Sequence, residues 1–193
     1  MKRIFVFLAV WLVSQALFAS EEGHDFEISA FGGLATTGAD DDALGGGGGL
    51  FLGLPVGDDY TLGVQGTLNY IGYQPPTTGE TVLSSGGGKT LTEFSLLCKK
   101  RFGEGPAHFL LEVGAGAALY SDDSHGSVVV FGTTYTSNNH ISQTYPMAVG
   151  LIGLEVPLSG KWSAFAQFGL DATFMPGDTQ EYIPLTAGLS YFP

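Results

Sequence analysis

The sequence predicts an all-β protein, eight antiparallel strands closed up-and-down into a transmembrane barrel, and three observations carry that prediction. Apolar residues alternate with small or polar ones at period two in runs of about eleven to thirteen residues, and no stretch longer than two turns keeps a helical period. Only 13% of the residues are charged while 44% are hydrophobic, against ~25% charged in an ordinary soluble domain. A large part of the surface is therefore expected to face something other than water. The connections between runs alternate short and long, as a barrel with tight turns on one rim and loops on the other requires.

The chain of 193 residues fits one domain, expected over 20–193, preceded by an export signal over 1–19. Lys2-Arg3 precede ten apolar residues from Ile4 to Val13, and a small-residue stretch ends at Ala19. That apolar run is too short to span a bilayer as a helix, which needs ~20 residues, and it has the form of a cleaved secretory signal. The net charge of -12 excludes nucleic acid as a partner, and a lone Cys98 excludes an intrachain disulfide and any multi-cysteine zinc site.

The expected strands span 26–36, 44–54, 60–72, 90–102, 108–120, 144–156, 162–174 and 182–192. Turn residues at Pro55 to Asp59, Gly103 to Ala107 and Pro157 to Lys161 divide them on one rim. The links 37–43, 73–89, 121–143 and 175–181 on the other rim are polar and of equal or greater length. Runs twice the ~5–6 residues of a typical soluble strand match the ~9–11 tilted residues that cross a membrane.

Facing follows from parity at the strand centres. In the seventh run Ala164, Ala166, Phe168, Leu170 and Ala172 share one side, expected to face lipid, and Ser163, Gln167, Gly169, Asp171 and Thr173 share the other. The fifth run turns Phe109 and Val113 outward and Glu112 and Gly114 inward; the third turns Val64 and Leu68 outward and Gln65 and Asn69 inward. The expected barrel is polar inside and apolar outside. Extending the parity to the strand ends places Phe26, Tyr60, Phe102, Phe109, Trp162 and Tyr191 outward, an aromatic girdle at the headgroup level. On the opposite rim Tyr70 and Phe174 point outward, whereas Tyr73, Tyr120, Tyr145 and Tyr182 point inward.

The last run carries Ile183, Leu185, Ala187, Leu189 and Tyr191 at every second position to the terminus. With that segment the whole exported chain resembles the small eight-stranded outer-membrane barrels of the OmpA, OmpX and OmpW type, proteins of Gram-negative cell envelopes. The final residue departs from the family pattern, because Pro193 stands where the family ends in Phe, with Phe192 one place early. The resemblance implies an outer-membrane location, periplasmic termini, contact with lipid and lipopolysaccharide, recognition by the outer-membrane assembly machinery, and a monomer.

Charged residues at inward positions are Glu93, Lys99, Arg101, Glu112, Glu155 and Asp171. Inside a narrow lumen they need partners, and a symmetric turn at 103–107 sets Lys99 opposite Glu112 with Arg101 near by. Two readings follow: a structural ion-pair plug, which eight strands favour because they leave room for little beyond side chains, and a gated path for protons or ions. The run Gly45 to Gly49 leads into a strand rather than a helix, so it suits barrel curvature and close packing of rings such as Phe31 or Phe51, not phosphate binding.

The link 121–143 holds Val128 to Phe131, Gly132 and Thr133 to Thr136, a β-branched hairpin signal beyond the membrane. It reads as an upward continuation of the wall, as a sheet edge that pairs with a partner strand, or as a further strand pair; resemblance to OmpX-type adhesion barrels implies the second. A hydrolase reading would draw on His125, Ser127, His140 and Ser142 with Asp122 and Asp123. Similar barrels that deacylate lipid A carry a His-x-Ser-Asn stretch on the penultimate strand, and this chain has no histidine there. The two loop histidines are too sparse to predict a metal site, and Asp40 to Asp42 lack the alternating spacing of a calcium loop. The expected function is a non-enzymatic envelope or surface-contact role through the loops, without cofactor or metal; the alternative is a narrow porin-like conduit.

Overall fold

A computed structural model describes residues 26–37, 44–57, 59–72, 82–103, 105–130 and 133–193, with backbone alone for 82–87, 124–130 and 133–139. The segment 1–19, Asp40 to Asp42 and Tyr73 lie outside the described residues.

The alternating runs become β1 (Glu27–Thr37), β2 (Gly45–Val56), β3 (Tyr60–Gly72), β4 (Val82–Phe102), β5 (His108–Val130), β6 (Thr133–Ser159), β7 (Trp162–Met175) and β8 (Asp178–Tyr191). Each pairs antiparallel with its neighbours in chain order, and β8 returns to pair with β1, closing the barrel. Closure satisfies the outer hydrogen-bonding edges of β1 and β8, which is what lets a sheet stand in hydrocarbon. At the rim that carries the termini, reversal is tight: Gly160 adopts a left-handed φ of 56° between β6 and β7, a region open to glycine without strain.

Three strands are longer than expected by eight residues or more. β4, β5 and β6 run 21, 23 and 27 residues, because the β-branched link 121–143 continues their ladder up to Val130 opposite Thr133. That link is therefore wall and not an added strand pair. The expected loop 175–181 is also corrected. Met175 pairs with Asp178, and Pro176 and Gly177, the latter at φ 84°, make a two-residue turn.

The exterior is apolar. Val64, Leu68, Phe94, Leu96, Leu154, Phe168 and Leu185 are exposed on the parity assigned outward, and Leu50 and Leu52 of β2, for which no facing was assigned, are exposed as well. No helix among the described residues is long and apolar enough to cross a membrane, and this barrel offers its strands instead. The interior is polar at the expected positions, with Gln65, Asn69, Glu112, Gln167, Asp171 and Thr173 all buried, but it also holds an apolar cluster that the alternation did not announce. Phe51, Ile71, Leu91, Leu97, Met147, Leu151 and Tyr182 are buried together, and Tyr120 joins them. With eight strands the lumen holds side chains and little else, so apolar groups pack there as well as in any core. Glycines make the room: a Cβ on Gly53 or on its partner Gly63 would lie 2.5 Å from the Phe51 ring.

Candidate functional site: the lumen charges and the sheet extension

Inward parity at the terminal end of β1, β4, β5 and β6 gathers charges from strands far apart in sequence. Lys99 Nζ donates to Glu27 Oε1 at 2.8 Å and stands 3.2 Å from Glu112 Oε1, an ionic contact without hydrogen-bond alignment. Its ammonium also lies 4.5 Å from the Phe51 ring centre. Arg101 donates from Nε to Glu155 at 2.6 Å, from Nη2 to Glu27 at 2.8 Å and from Nη1 to the Thr61 hydroxyl at 2.9 Å. Hydroxyls complete the shell: Ser29 donates to Glu27 at 2.8 Å and Ser163 to Glu155 at 2.6 Å. Two cations are thus held by three carboxylates in a layer where Lys99, Glu27, Glu112 and Glu155 are all buried.

Lys99 and Glu112 pair as the turn symmetry predicts. Glu27 was missed, although it is the residue both cations share. The signal was present, since Phe26 faces outward and its neighbour must then face the lumen. The partners of Glu27 lie on β4, reached only through barrel closure.

Glu93 and Asp171 do not join this network. They occupy the same lumen farther from the terminal rim, where Thr67 donates to Glu93 Oε2 and Asn69 reaches the same oxygen at 3.4 Å. The sequence grouping of six charges is therefore two sites, one neutralised by cations and one formed by two carboxylates.

Below the ion-pair layer a vestibule of about 390 Å³ opens at the terminal rim, lined by Tyr60, Arg101, His108, Trp162 and Phe192 among others. Around it stands the aromatic belt. Phe26, Tyr60, Phe102, Phe109 and Trp162 are exposed and Tyr191 is half-buried; Phe102 and Phe109 lie 6.0 Å apart, Trp162 and Tyr191 4.8 Å. Lys100 reaches the Tyr60 hydroxyl at 2.6 Å, an ammonium snorkelling beside a ring. At the other rim Tyr70 and Phe174 face out, and Tyr120 and Tyr182 face in, as their parity requires.

Above the barrel, His140 Nδ1 is bonded to Asp123 across the β5–β6 pair, both exposed. Ser142, two residues along the same face, makes no hydrogen bond to His140 among the described residues, so the base-to-nucleophile contact of a hydrolase is not formed. The side chains of His125 and Ser127 lie outside the description. The more prominent feature is the ladder itself. β6 pairs with β5 from Thr133 onward, but its pairing with β7 starts at Met147. Among the described residues, the β7-facing edge of β6 over 133–146 is open.

No protein-family model and no curated protein matches this chain. Solved structures do. Neisserial surface protein A is similar over 90% of this chain and 100% of its own, at 16% identity and a TM-score of 0.53. A major outer membrane protein from Thermus thermophilus is similar over 87% of this chain and 99% of its own, at 16% identity and 0.52. The Yersinia pestis outer membrane protein Ail, in a phospholipid bilayer nanodisc, is similar over 88% of this chain and 100% of its own, at 15% identity and 0.51. At such identities the likeness shows the fold, that of the small eight-stranded outer-membrane barrels.

Proposed function

We propose that this chain is an exported outer-membrane barrel without enzymatic activity, working at the cell surface through the β4–β5–β6 extension. The observation that carries the reading is the edge of β6 over 133–146, open among the described residues and raised above the part of the wall where β7 begins to pair. An unpaired strand edge offers a row of backbone donors and acceptors, and strand addition by an extended segment of a partner protein satisfies them without a preformed pocket. The lumen supports a mechanical role, because paired charges and an apolar cluster are buried in it. Removal of 1–19, termini in the periplasm, a girdle seated among headgroups, docking of β8 to the assembly machinery, contact with lipopolysaccharide and a monomeric state belong to the same reading.

The test is adhesion of non-adherent bacteria displaying the chain to host-cell layers. Lysines at Thr134 and Thr136 block an edge by charge. The wild type should confer binding, and the lysine variant should lose it while keeping the same amount of folded barrel in the outer membrane. Equal binding by both would sink the edge mechanism; a change in lipid A mass on expression, abolished by Ser142→Ala, would replace this reading with the hydrolase.

A further inference from the structure

The lysines and arginines of residues 20–193 are Lys89, Lys99, Lys100, Arg101 and Lys161. Lys89 and Lys99 are buried inward, Arg101 joins the lumen network, and Lys161 stands in the turn between β6 and β7. Among the described residues, Lys100 is therefore the one cation on the outer face of a strand. Its ammonium donates to the Tyr60 hydroxyl at 2.6 Å and lies 4.5 Å from the Tyr60 ring centre and 4.9 Å from that of Phe102. The register sets Lys100 opposite Tyr60 on β3 and opposite Leu111 on β5, so three paired strands hold the arrangement. Two rings and a hydroxyl aim the ammonium, which lowers the entropy that a free lysine would lose on binding.

The charge of Lys100 has no partner of opposite sign among the described residues. Asp59, in the turn that leads into β3, adds to the field at Lys100 but forms no ion pair with it. The ammonium spends one of its three donors on Tyr60, and the phenol, having accepted that bond, keeps its own proton to donate. Free donors of two groups thus converge on the outer wall at the level of the girdle. Toward the middle of the wall, Leu62, Leu96, Leu111 and Val113 continue the same outward face as a purely apolar surface. A ligand that meets both the clamp and this surface is an amphiphile with an anionic head. We infer that Lys100 and Tyr60 bind the phosphate diester of one phospholipid, whose acyl chains lie against that apolar face. The inference rests on the reading above that the terminal rim sits among headgroups.

The experiment uses the full chain refolded in a nonionic detergent and titrated with phosphatidylglycerol, with a diacylglycerol of the same acyl chains, or with inorganic phosphate. Bound molecules are counted by native mass spectrometry. The wild type should retain one phosphatidylglycerol, and neither the diacylglycerol nor inorganic phosphate should be held as well. Lys100→Gln should bind phosphatidylglycerol at least roughly fivefold more weakly, the factor that one lysine contributes beside an anionic lipid surface. Lys100→Arg should restore most of the binding. Tyr60→Phe keeps the ring and loses the hydroxyl, and should fall between the wild type and Lys100→Gln. Lys161→Gln, which removes the other exposed cation of that rim, should bind as the wild type does.

Equal retention of phosphatidylglycerol by the wild type and Lys100→Gln, an equal loss in Lys161→Gln, or diacylglycerol held as tightly as phosphatidylglycerol each overturns the site. Inorganic phosphate bound as tightly as the lipid would overturn the phospholipid as its occupant. The heat-dependent gel shift and insertion into lipid vesicles report separately on the reading beneath. A folded, inserted barrel that retains no phosphatidylglycerol sinks the site alone, and a chain that does not insert sinks both.

Discussion

At the scale of single residues, Arg101 links the two sides of the lower network. Among the described residues it is the only cation hydrogen-bonded to Glu155, and it shares Glu27 with Lys99. Arg101→Met keeps much of the bulk and removes the charge, leaving Glu155 buried beside Ser163 alone. Its loss should destabilise the barrel toward the low end of about 3–5 kcal/mol, because the guanidinium is partly open to the vestibule and its interactions are screened there. Urea unfolding in detergent, followed by tryptophan fluorescence, measures it, and a loss below about 1 kcal/mol would mean that water already does the work of the pair. Inward facing was legible for each of these residues from alternation alone. Their partition was not, because Glu93 and Lys99 share one face of one strand and only the opposite wall decides that one meets a carboxylate and the other meets Glu27.

Elements differ in what their sequence reveals. β3 and β7 were legible to within about a residue, since alternation and turn residues including glycine mark their ends. β5 and β6 were not, because above Tyr120 the alternation of apolar and polar residues lapses, and the ladder there is held by backbone pairing and β-branched residues. The extension should be separable from the wall for the same reason. Deleting 124–139 leaves the pairs from Asp123 and His140 downward intact. The shortened protein should still show the heat-dependent gel shift of a closed barrel, and failure to fold would show that the extension nucleates closure.

For the whole molecule, the inversion of inside and outside sets the solvent in which it is stable. Phe94 is 67% exposed on β4, next to buried Glu93. Phe94→Lys should cost about 2–4 kcal/mol if this face meets the middle of a bilayer, and almost nothing if it meets water. Refolding into lipid vesicles compared with detergent distinguishes the two. The buried cluster in the lumen bears on the conduit alternative. Ile71, Leu91 and Tyr182, each about 1% exposed, lie in the same interior as the ion pairs, so protein inserted in planar bilayers should show no single-channel steps. Regular steps that respond to Glu112→Gln would restore the conduit.

The sequence by itself determined the strand number, the closed antiparallel class, which side chains face out, and the ring of aromatics at the terminal rim. All of these follow from period-two alternation and turn chemistry, which act between near neighbours. Tertiary structure alone decided that an apolar cluster shares the lumen with the polar residues, that Glu27 unites Lys99 with Arg101, that Glu93 and Asp171 stand apart from them, and that β6 rises with one edge unpaired among the described residues. The physical reason is the register of closure. A partner across a barrel is set by how eight strands are staggered when the last meets the first, and no local pattern encodes that sum.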